Sequence, residues 1–278
     1  MLRLLTIEFH KLKYNRASKI LSIIYFGLLA GIALIAAIKF DIGPIKFHMA
    51  EIGIFNFPYI WHFNTYIASI LKFFLLLVIV SMMSNEYSYK TLKQNLIDGL
   101  SKKEFVLSKF YAVIAFAAIS TLFVFVVSLI LGLFYSDFNE FAIITSDLEY
   151  LFAFFIKLVG FFSFGLFLGI LVKRSAFAVG AMVVWYIIEW LILVLCKWIL
   201  PITWEQGFQI KGFLPLEAMS NLIKEPGTRL GAVKSVVSQI GEQITKNYAV
   251  QFIDVLIVSI WTFIFIYLSF VLLKKRDL

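Results

Sequence analysis

The sequence predicts an all-α, polytopic membrane protein with six spanning helices. Apolar residues make up 62% of the 278-residue chain, charged residues only 15%, and the mean hydropathy is +0.93. A soluble domain has roughly 45–50% apolar and about 25% charged residues. The apolar residues also lie in long continuous runs rather than in the alternating pattern of a membrane barrel. These observations favour a helical bundle in a bilayer.

Six apolar segments are long enough to cross the bilayer, which takes about 20 residues. These segments cover residues of about 20–37, 66–84, 111–135, 150–172, 176–196 and 251–273. The first run is far longer than the apolar part of a signal peptide, so we expect it to be retained. Without an internal repeat, residues 1–278 are expected to form a single transmembrane domain.

The distribution of Lys and Arg predicts the orientation of the spans. With the N-terminus in the cytoplasm, fifteen of the 25 basic residues fall on the inner side and eight on the outer side. Six of those eight lie in the long third outer loop, and long loops count little for orientation. We therefore expect both termini in the cytoplasm. The same distribution explains the net charge of +8 without nucleic acid as a partner.

Two outer loops have distinctive patterns. The first, residues 41–65, carries most of the aromatic stretch FNFPYIWHFNTY, and such residues settle at the headgroup level, so we expect this loop against the outer leaflet. In the third loop, Pro215 favours a helix start. An amphipathic outer helix is then predicted by apolar residues at helical spacing: Leu230, Val233, Val237, Ile240 and Ile244.

An orderly polar segment, NEYSYKTLKQNLIDGLSKKEF (residues 85–105), connects the second and third spans on the inner side. Ser84 or Asn85 can cap a helix, with Glu86 favourable in its first turn. Residues at helical spacing form one apolar stripe: Tyr89, Leu92, Leu96 and Leu100. Gly99 stops this helix. Ser101 to Glu104 is a capping-box pattern that starts a helix running into the third span.

The N-terminal segment LRLLTIEFHKLKYNR is amphipathic as well. Leu5, Phe9 and Leu12 form a stripe at helical spacing, and the basic side chains of this segment lie off the stripe. We expect a helix that lies on the inner leaflet, where anionic lipids attract its Lys and Arg residues.

The polar segment resembles the signature between the second and third spans of type-2 ATP-binding-cassette (ABC) permeases. That signature has an acidic–aromatic pair, a Thr-Leu-Arg/Lys run, and a Gly or Pro followed by Ser-Arg/Lys. The matches here are Glu86-Tyr87, Thr91-Leu92-Lys93, Gly99 and Ser101-Lys102. FPYIWHFNTYIASILK is also similar to the second-span entry of bacterial members. The motif likeness covers about residues 57–109, and the predicted architecture agrees over the whole chain.

The resemblance implies that the polar segment contains a coupling helix docked on a separate ABC ATPase subunit, and that the N-terminal helix is an elbow helix. ATP and Mg²⁺ are expected on that ATPase, because this chain has no G-x-x-x-x-G-K-[ST] sequence. No cofactor or metal is expected on this chain. The residues assigned to coupling are Glu86, Tyr87, Thr91, Leu92, Lys93, Asp98, Gly99, Ser101 and Lys102.

The implied function is that of a non-enzymatic permease subunit of an ATP-driven exporter in a bacterial inner membrane. A second permease copy or a homologue and membrane lipids complete the expected assembly. Two alternatives remain open at this point, an ion-coupled secondary transporter and a non-transporting anchor or assembly factor. The absence of an inverted repeat in the sequence counts against the first alternative.

Four ionisable residues fall within the predicted spans: Lys72, Lys157, Glu189 and Asp254. Placing such residues in the hydrocarbon core costs free energy, so they usually face the interior of a bundle. The predicted topology places all four in the outer half of the membrane. We expect them either to line or gate a polar path, or to form salt bridges that orient the helices, with snorkelling of the two lysines toward the interface as a further alternative.

Overall fold

The computed structural model describes residues 2–38, 40–42, 45–47, 52–229 and 247–276. The helices of the first half are α1 (Leu2–Tyr14), α2 (Arg16–Ala37), α3 (Tyr59–Leu71), α4 (Phe73–Ser88), α5 (Thr91–Ile97) and α6 (Lys102–Tyr135). Those of the second half are α7 (Phe141–Ile144), α8 (Glu149–Val172), α9 (Ser175–Ile199), α10 (Trp204–Lys211), α11 (Pro215–Asn221) and α12 (Phe252–Lys275). A 3₁₀ turn covers Gly227–Arg229.

The predicted helical membrane fold is confirmed. Among the described residues, five helical stretches are long and apolar enough to cross a membrane: Arg16–Ala37, Lys102–Tyr135, Phe141–Val172, Ser175–Ile199 and Phe252–Lys275. The pair α3 and α4 forms a sixth candidate span with a bend of 43°. This bend interrupts the run predicted over residues 66–84. The single-domain assignment stays a prediction.

Helix α8 occupies the centre of the bundle and packs against α3, α4, α6, α9 and α12. In the most apolar stretch of this span, two-thirds of the residues are buried. In the corresponding stretches of α2, α9 and α12, only about a sixth of the residues are buried. Close packing depends on glycine, because a Cβ atom at Gly165 would overlap the side chain of Leu76 on α4. The central position of α8 means that its polar side chains face protein rather than lipid.

The expectation for the first outer loop was wrong. Most of the aromatic stretch at residues 55–66 belongs to α3, which begins at Tyr59. Phe55 and Trp61 are buried, and the Trp61 indole donates to the carbonyl of Ile144 at 2.9 Å. These aromatic residues therefore pack inside the bundle rather than lying on its surface against a leaflet. The preceding part of the loop contains a small antiparallel hairpin, Phe40–Ile42 with Ile45–Phe47.

The described part of the third outer loop is helical, as predicted. Pro215 is the first residue of α11, a position where its missing N–H costs no hydrogen bond. The amphipathic helix predicted from Leu230 to Ile244 lies outside the described residues.

Candidate functional site

A seven-residue helix, α5, stands between the second and third candidate spans. Residue Lys90, with φ of 57°, separates α4 from α5, and Gly99, with φ of 94°, follows the end of α5. Glycine reaches this left-handed region without strain, so its predicted role as a helix stop holds. The predicted capping box is also present: Ser101 Oγ accepts from the Glu104 amide at 3.1 Å, and Glu104 Oε2 accepts from the Ser101 amide at 2.9 Å.

The predicted start of the short helix was wrong. Ser84 and Asn85 do not cap the short helix, because α4 continues through both residues to Ser88. Ser84 is buried instead, and its Oγ accepts from the amide of Ser175 at 3.2 Å. Ser and Asn favour a helix start only where they precede the helix, and here both lie within the last turns of α4.

Helix α5 has an inward and an outward face. Leu92 is buried and Leu96 is half-buried, as the stripe predicted. Tyr89 contradicts the stripe, because it precedes α5 and its side chain is 73% exposed. Exposed side chains make up the surface we call the α5 outer face: Tyr89, Lys90, Lys93, Gln94, Ile97 and Asp98. This surface combines two apolar side chains, Tyr89 and Ile97, with both signs of charge.

Glu86 does not belong to the outer face, since its side chain turns into the protein. Its Oε1 atom lies 2.5 Å from Lys109 Nζ and 2.8 Å from Lys11 Nζ. Its Oε2 atom accepts from Thr91 Oγ1 at 2.6 Å and from Asn95 Nδ2 at 3.2 Å. One carboxylate thus ties α4 to α1, α5 and α6.

Lys109 is the centre of this network and is completely buried. Besides Glu86 it binds Glu8 Oε2 at 2.6 Å, and Ser108 Oγ donates to Glu8 Oε1 at 3.1 Å. We call Glu8, Lys11, Glu86 and Lys109 the ion cluster; its two carboxylates and two ammonium groups balance. Sequence reasoning missed Glu8, and it placed Lys109 among the inner-side basic residues and at the end of the stretch that resembles the family signature. The available signal was that Glu8 shares the helix face of Leu5 and Leu12, and Lys109 that of Phe105 and Ala112.

The C-terminal end of α12 is fastened to the same region. The Arg276 guanidinium donates to the carbonyls of Ile170 and Leu171, and it contacts the hydroxyl of Tyr87 at 3.3 Å. Lys102 Nζ donates to the carbonyl of Arg276 at 2.9 Å. Of the residues assigned to coupling, Tyr87 and Lys102 therefore hold the bundle together. Lys93 and Asp98 are exposed on the outer face.

These contacts place the basic segments at one end of the bundle, which we call the basic end. It contains α1, the C-terminal ends of α4, α8 and α12, the N-terminal ends of α6 and α9, and α5. Successive spans therefore run in opposite directions. This agrees with the prediction that the Lys- and Arg-rich inner segments share one side of the membrane.

The four ionisable residues within the spans do not pair with one another in the described residues. Glu189 accepts from the backbone amides of Leu216 and Glu217 at 2.9 and 3.1 Å, at the N-terminal end of α11. It also accepts from the Trp185 indole at 3.0 Å. Asp254 lines a different cavity, together with Lys224. The expected salt bridges among the four are thus not formed.

Lys72 and Lys157 do come together, since both line one cavity of about 420 Å³ between α3, α4, α8, α9 and α11. Lys72 occupies the bend between α3 and α4, and its Nζ donates to the carbonyl of Ser69 at 2.7 Å. Lys157 is buried, and among the described residues its Nζ reaches only the carbonyl of Ser220, at 3.5 Å. In the described parts of the chain, no group of three or more His, Cys, Asp or Glu side chains is arranged to hold a metal ion.

Comparison with known proteins identifies the family of the chain. Curated proteins give no match to the chain. The family model described as "ABC-2 family transporter protein" matches residues 8–278. The match covers both the ion cluster and the cavity lysines. The chain therefore belongs to the ABC-2 transporter family, as a type-2 ABC permease.

Proposed function

We propose that this permease is the membrane subunit of an ATP-driven exporter, and that the α5 outer face docks on a separate ATPase subunit. The observation that carries the proposal is the two-sided construction of α5. Its outer face is exposed, and its other side is bonded through Thr91 and Asn95 to the buried carboxylate of Glu86. Family membership supports the same assignment.

The ion cluster gives α5 the stiffness that such a role requires. A push on α5 reaches Glu86 on α4 and, through Lys109, the first turns of α6 and the helix α1. Buried charge-assisted hydrogen bonds of 2.5–2.8 Å are short and directional, so these elements move together. Rigid-body motion of packed helices is a common way to transmit a switch across a protein.

The proposal fixes the rest of the assembly. ATP and Mg²⁺ bind to the ATPase, and a second permease copy or a homologue completes the transport path. The basic end faces the cytoplasm of a bacterial cell, as positively charged loops do. Both termini are then cytoplasmic, and the cavity lysines lie toward the outer side of the inner membrane.

Purification of the full-length chain from native membranes tests the docking. In mild detergent, we expect a P-loop ATPase to co-purify, and the complex in liposomes to hydrolyse ATP. The double variant Lys93→Glu, Ile97→Asp changes the outer face only, so we expect it to lose the ATPase while its unfolding midpoint stays unchanged. Lys19→Glu, an exposed change on α2 at the same end, is the matched control.

The proposal is contradicted if the double variant retains the ATPase as fully as the control does. Substrate movement driven by an ion gradient in liposomes without any ATPase would instead favour the ion-coupled transporter. A chain that binds the ATPase but changes neither hydrolysis nor transport would be an anchor or assembly factor.

A further inference from the structure

The cavity that contains Lys72 and Lys157 holds two lysine amino groups whose hydrogen-bond partners among the described residues are backbone carbonyls. In the part of the chain that the structure describes, neither ammonium group lies within salt-bridge distance of a carboxylate. The carboxylate that lines the cavity, Glu217, is already paired with Lys211 at 2.7 Å. Glu189, on the adjacent helix α9, is occupied by backbone amides and an indole.

The two lysines lie at the same level of the bundle. Lys72 is about 24 Å from the basic end of α4, and Lys157 about 22 Å from the basic end of α8, at 1.5 Å per residue. The bend between α3 and α4 occurs at Lys72 itself. Both side chains therefore enter one cavity deep in the bundle, far from the charges of the basic end.

The wall of the cavity is otherwise suited to an amphiphile. Phe161 lies under the Lys72 ammonium, 4.7 Å from Nζ to the ring centroid, and Met182 and Ile223 add apolar surface. Tyr66 and Tyr186 also line the cavity, and no hydrogen bond of either hydroxyl is formed within the described residues. The cavity thus combines lysine amino groups and tyrosine hydroxyls, which can donate hydrogen bonds, with an apolar wall.

The edge of the cavity is apolar and open. Its lining includes exposed residues of two candidate spans: Ile70, Phe73, Val183 and Tyr186. Large apolar side chains at the edge favour entry of a molecule with a hydrocarbon part over entry of a free hydrated ion. A buried ammonium group such as that of Lys157 is costly without a partner, which an anionic group would supply.

We infer that this cavity binds the phosphate or carboxylate group of an anionic amphiphile between Lys72 and Lys157. Each ammonium has three N–H donors, and charge-assisted hydrogen bonds to an oxyanion are about twice as strong as neutral ones. The hydrocarbon part of the amphiphile lies along Phe161, Met182 and the open edge. This binding does not depend on docking of an ATPase.

Binding to the purified full-length chain in neutral detergent tests the site. Three probes separate the sources of the anion: phosphatidylglycerol, inorganic phosphate, and phosphatidylcholine as a lipid without net charge. We expect phosphatidylglycerol to bind more tightly than either of the others. Lys157→Met weakens its binding by about tenfold or more, because a hydrogen bond between charged groups is lost.

Two further variants keep the test decisive. Lys72→Gln, at a half-buried position, repeats the loss if Lys157→Met does not yield folded protein. Lys224→Gln is the control, since it removes a lysine that lines the separate cavity of Asp254. Inorganic phosphate that competes with phosphatidylglycerol supports the same lysine site.

The inference is overturned if phosphatidylglycerol binds no better than phosphatidylcholine, or if Lys72→Gln and Lys157→Met bind it as tightly as the control variant does. Each of these results leaves the docking of the ATPase on α5 untouched. Loss of the ATPase from the outer-face variant, in turn, says nothing about this cavity. The two proposals therefore fail separately.

Discussion

Lys109 and Lys157 are two buried lysines in long apolar helices, and their surroundings are opposite. The Lys109 side chain is 0% exposed and lies 2.6 and 2.5 Å from two carboxylates. Lys157 is 3% exposed, and in the described part of the chain it reaches only a backbone carbonyl, at 3.5 Å. Burial is the same, so the difference lies in the compensation of the charge.

Lys109 therefore has a structural role, whereas Lys157 has the surroundings of a ligand-binding group. The ion cluster around Lys109 is balanced, and its oxygens are occupied by Lys11, Thr91, Asn95 and Ser108. Such a closed network fixes the relative positions of four helices. The cavity around Lys157 is open to a ligand because its positive charge has no internal partner among the described residues.

The largest expected effect is that of Lys109→Met. Removal of the central ammonium leaves the buried carboxylates of Glu8 and Glu86 with the partly exposed Lys11 as their remaining counter-charge in the ion cluster. Breaking a buried ion pair in this way costs about 3–5 kcal/mol. We expect a loss of that size in the free energy of unfolding, measured by titration with a denaturing detergent.

Lys103→Met is the matched control for this prediction, since Lys103 is exposed on the same helix. Exposed substitutions usually change stability by less than about 0.5 kcal/mol. Equal stabilities of the Lys109 and Lys103 variants would show that the ion cluster does not hold the helices together.

The hydrogen bond between Thr91 and Glu86 tests the link to α5. Thr91→Val keeps the shape of the side chain but removes the donor at 2.6 Å. Hydrogen bonds to charged groups contribute about 1.5–3 kcal/mol, so we expect a loss in that range. Thr121→Val is the control, because the Thr121 hydroxyl bonds only the carbonyl of Ala117 on its own helix.

If coupling runs through this bond, Thr91→Val also lowers ATP-driven transport relative to ATP hydrolysis in the reconstituted complex. A stability loss without any change in that ratio would make the bond structural only. An unchanged stability would remove the argument that Glu86 fastens α5 to α4.

Lys157→Met is expected to change stability in the opposite direction from Lys109→Met. A buried polar group without a good partner costs about 1–3 kcal/mol, and methionine fills a similar volume without that cost. The free energy of unfolding in lipid-free neutral detergent should therefore rise by about that amount. A decrease comparable to that of Lys109→Met would mean that Lys157 has a strong internal partner, which contradicts the comparison.

The global fold could be predicted from the sequence because it depends on the average hydropathy of long segments. Long apolar runs marked the membrane-spanning helices, and the capping box at Ser101–Glu104 marked the start of α6. The bend at Lys72 could not be predicted from the sequence, because a hydropathy profile does not report a change of helix direction. Lys72 and Lys157 share a cavity only because α3, α4, α8, α9 and α11 meet there.

The candidate site was predictable in its location but not in its contacts. The motif pointed to residues 85–105 and assigned Thr91 to ATPase coupling, whereas the Thr91 hydroxyl bonds Glu86 within the chain. The ion cluster depends on a pair separated by about a hundred residues, Glu8 and Lys109, and no local spacing encodes such a contact. Helical periodicity also placed Tyr89 on the buried stripe, whereas the break at Lys90 turns it outward.

Tyr89→Ala provides the smallest expected effect and separates the two descriptions of this residue. A buried large aromatic residue costs about 3–5 kcal/mol when it is replaced by alanine, and Leu92→Ala, at a buried position, should cost about 2–5 kcal/mol. Since Tyr89 is exposed, its variant should stay within about 0.5 kcal/mol of the parent. Its ATPase binding should weaken nevertheless, because exposed tyrosines are frequent anchors in protein interfaces. A large stability loss would mean that Tyr89 is buried together with Leu92 and Leu96. The apolar part of the α5 outer face would then consist of Ile97.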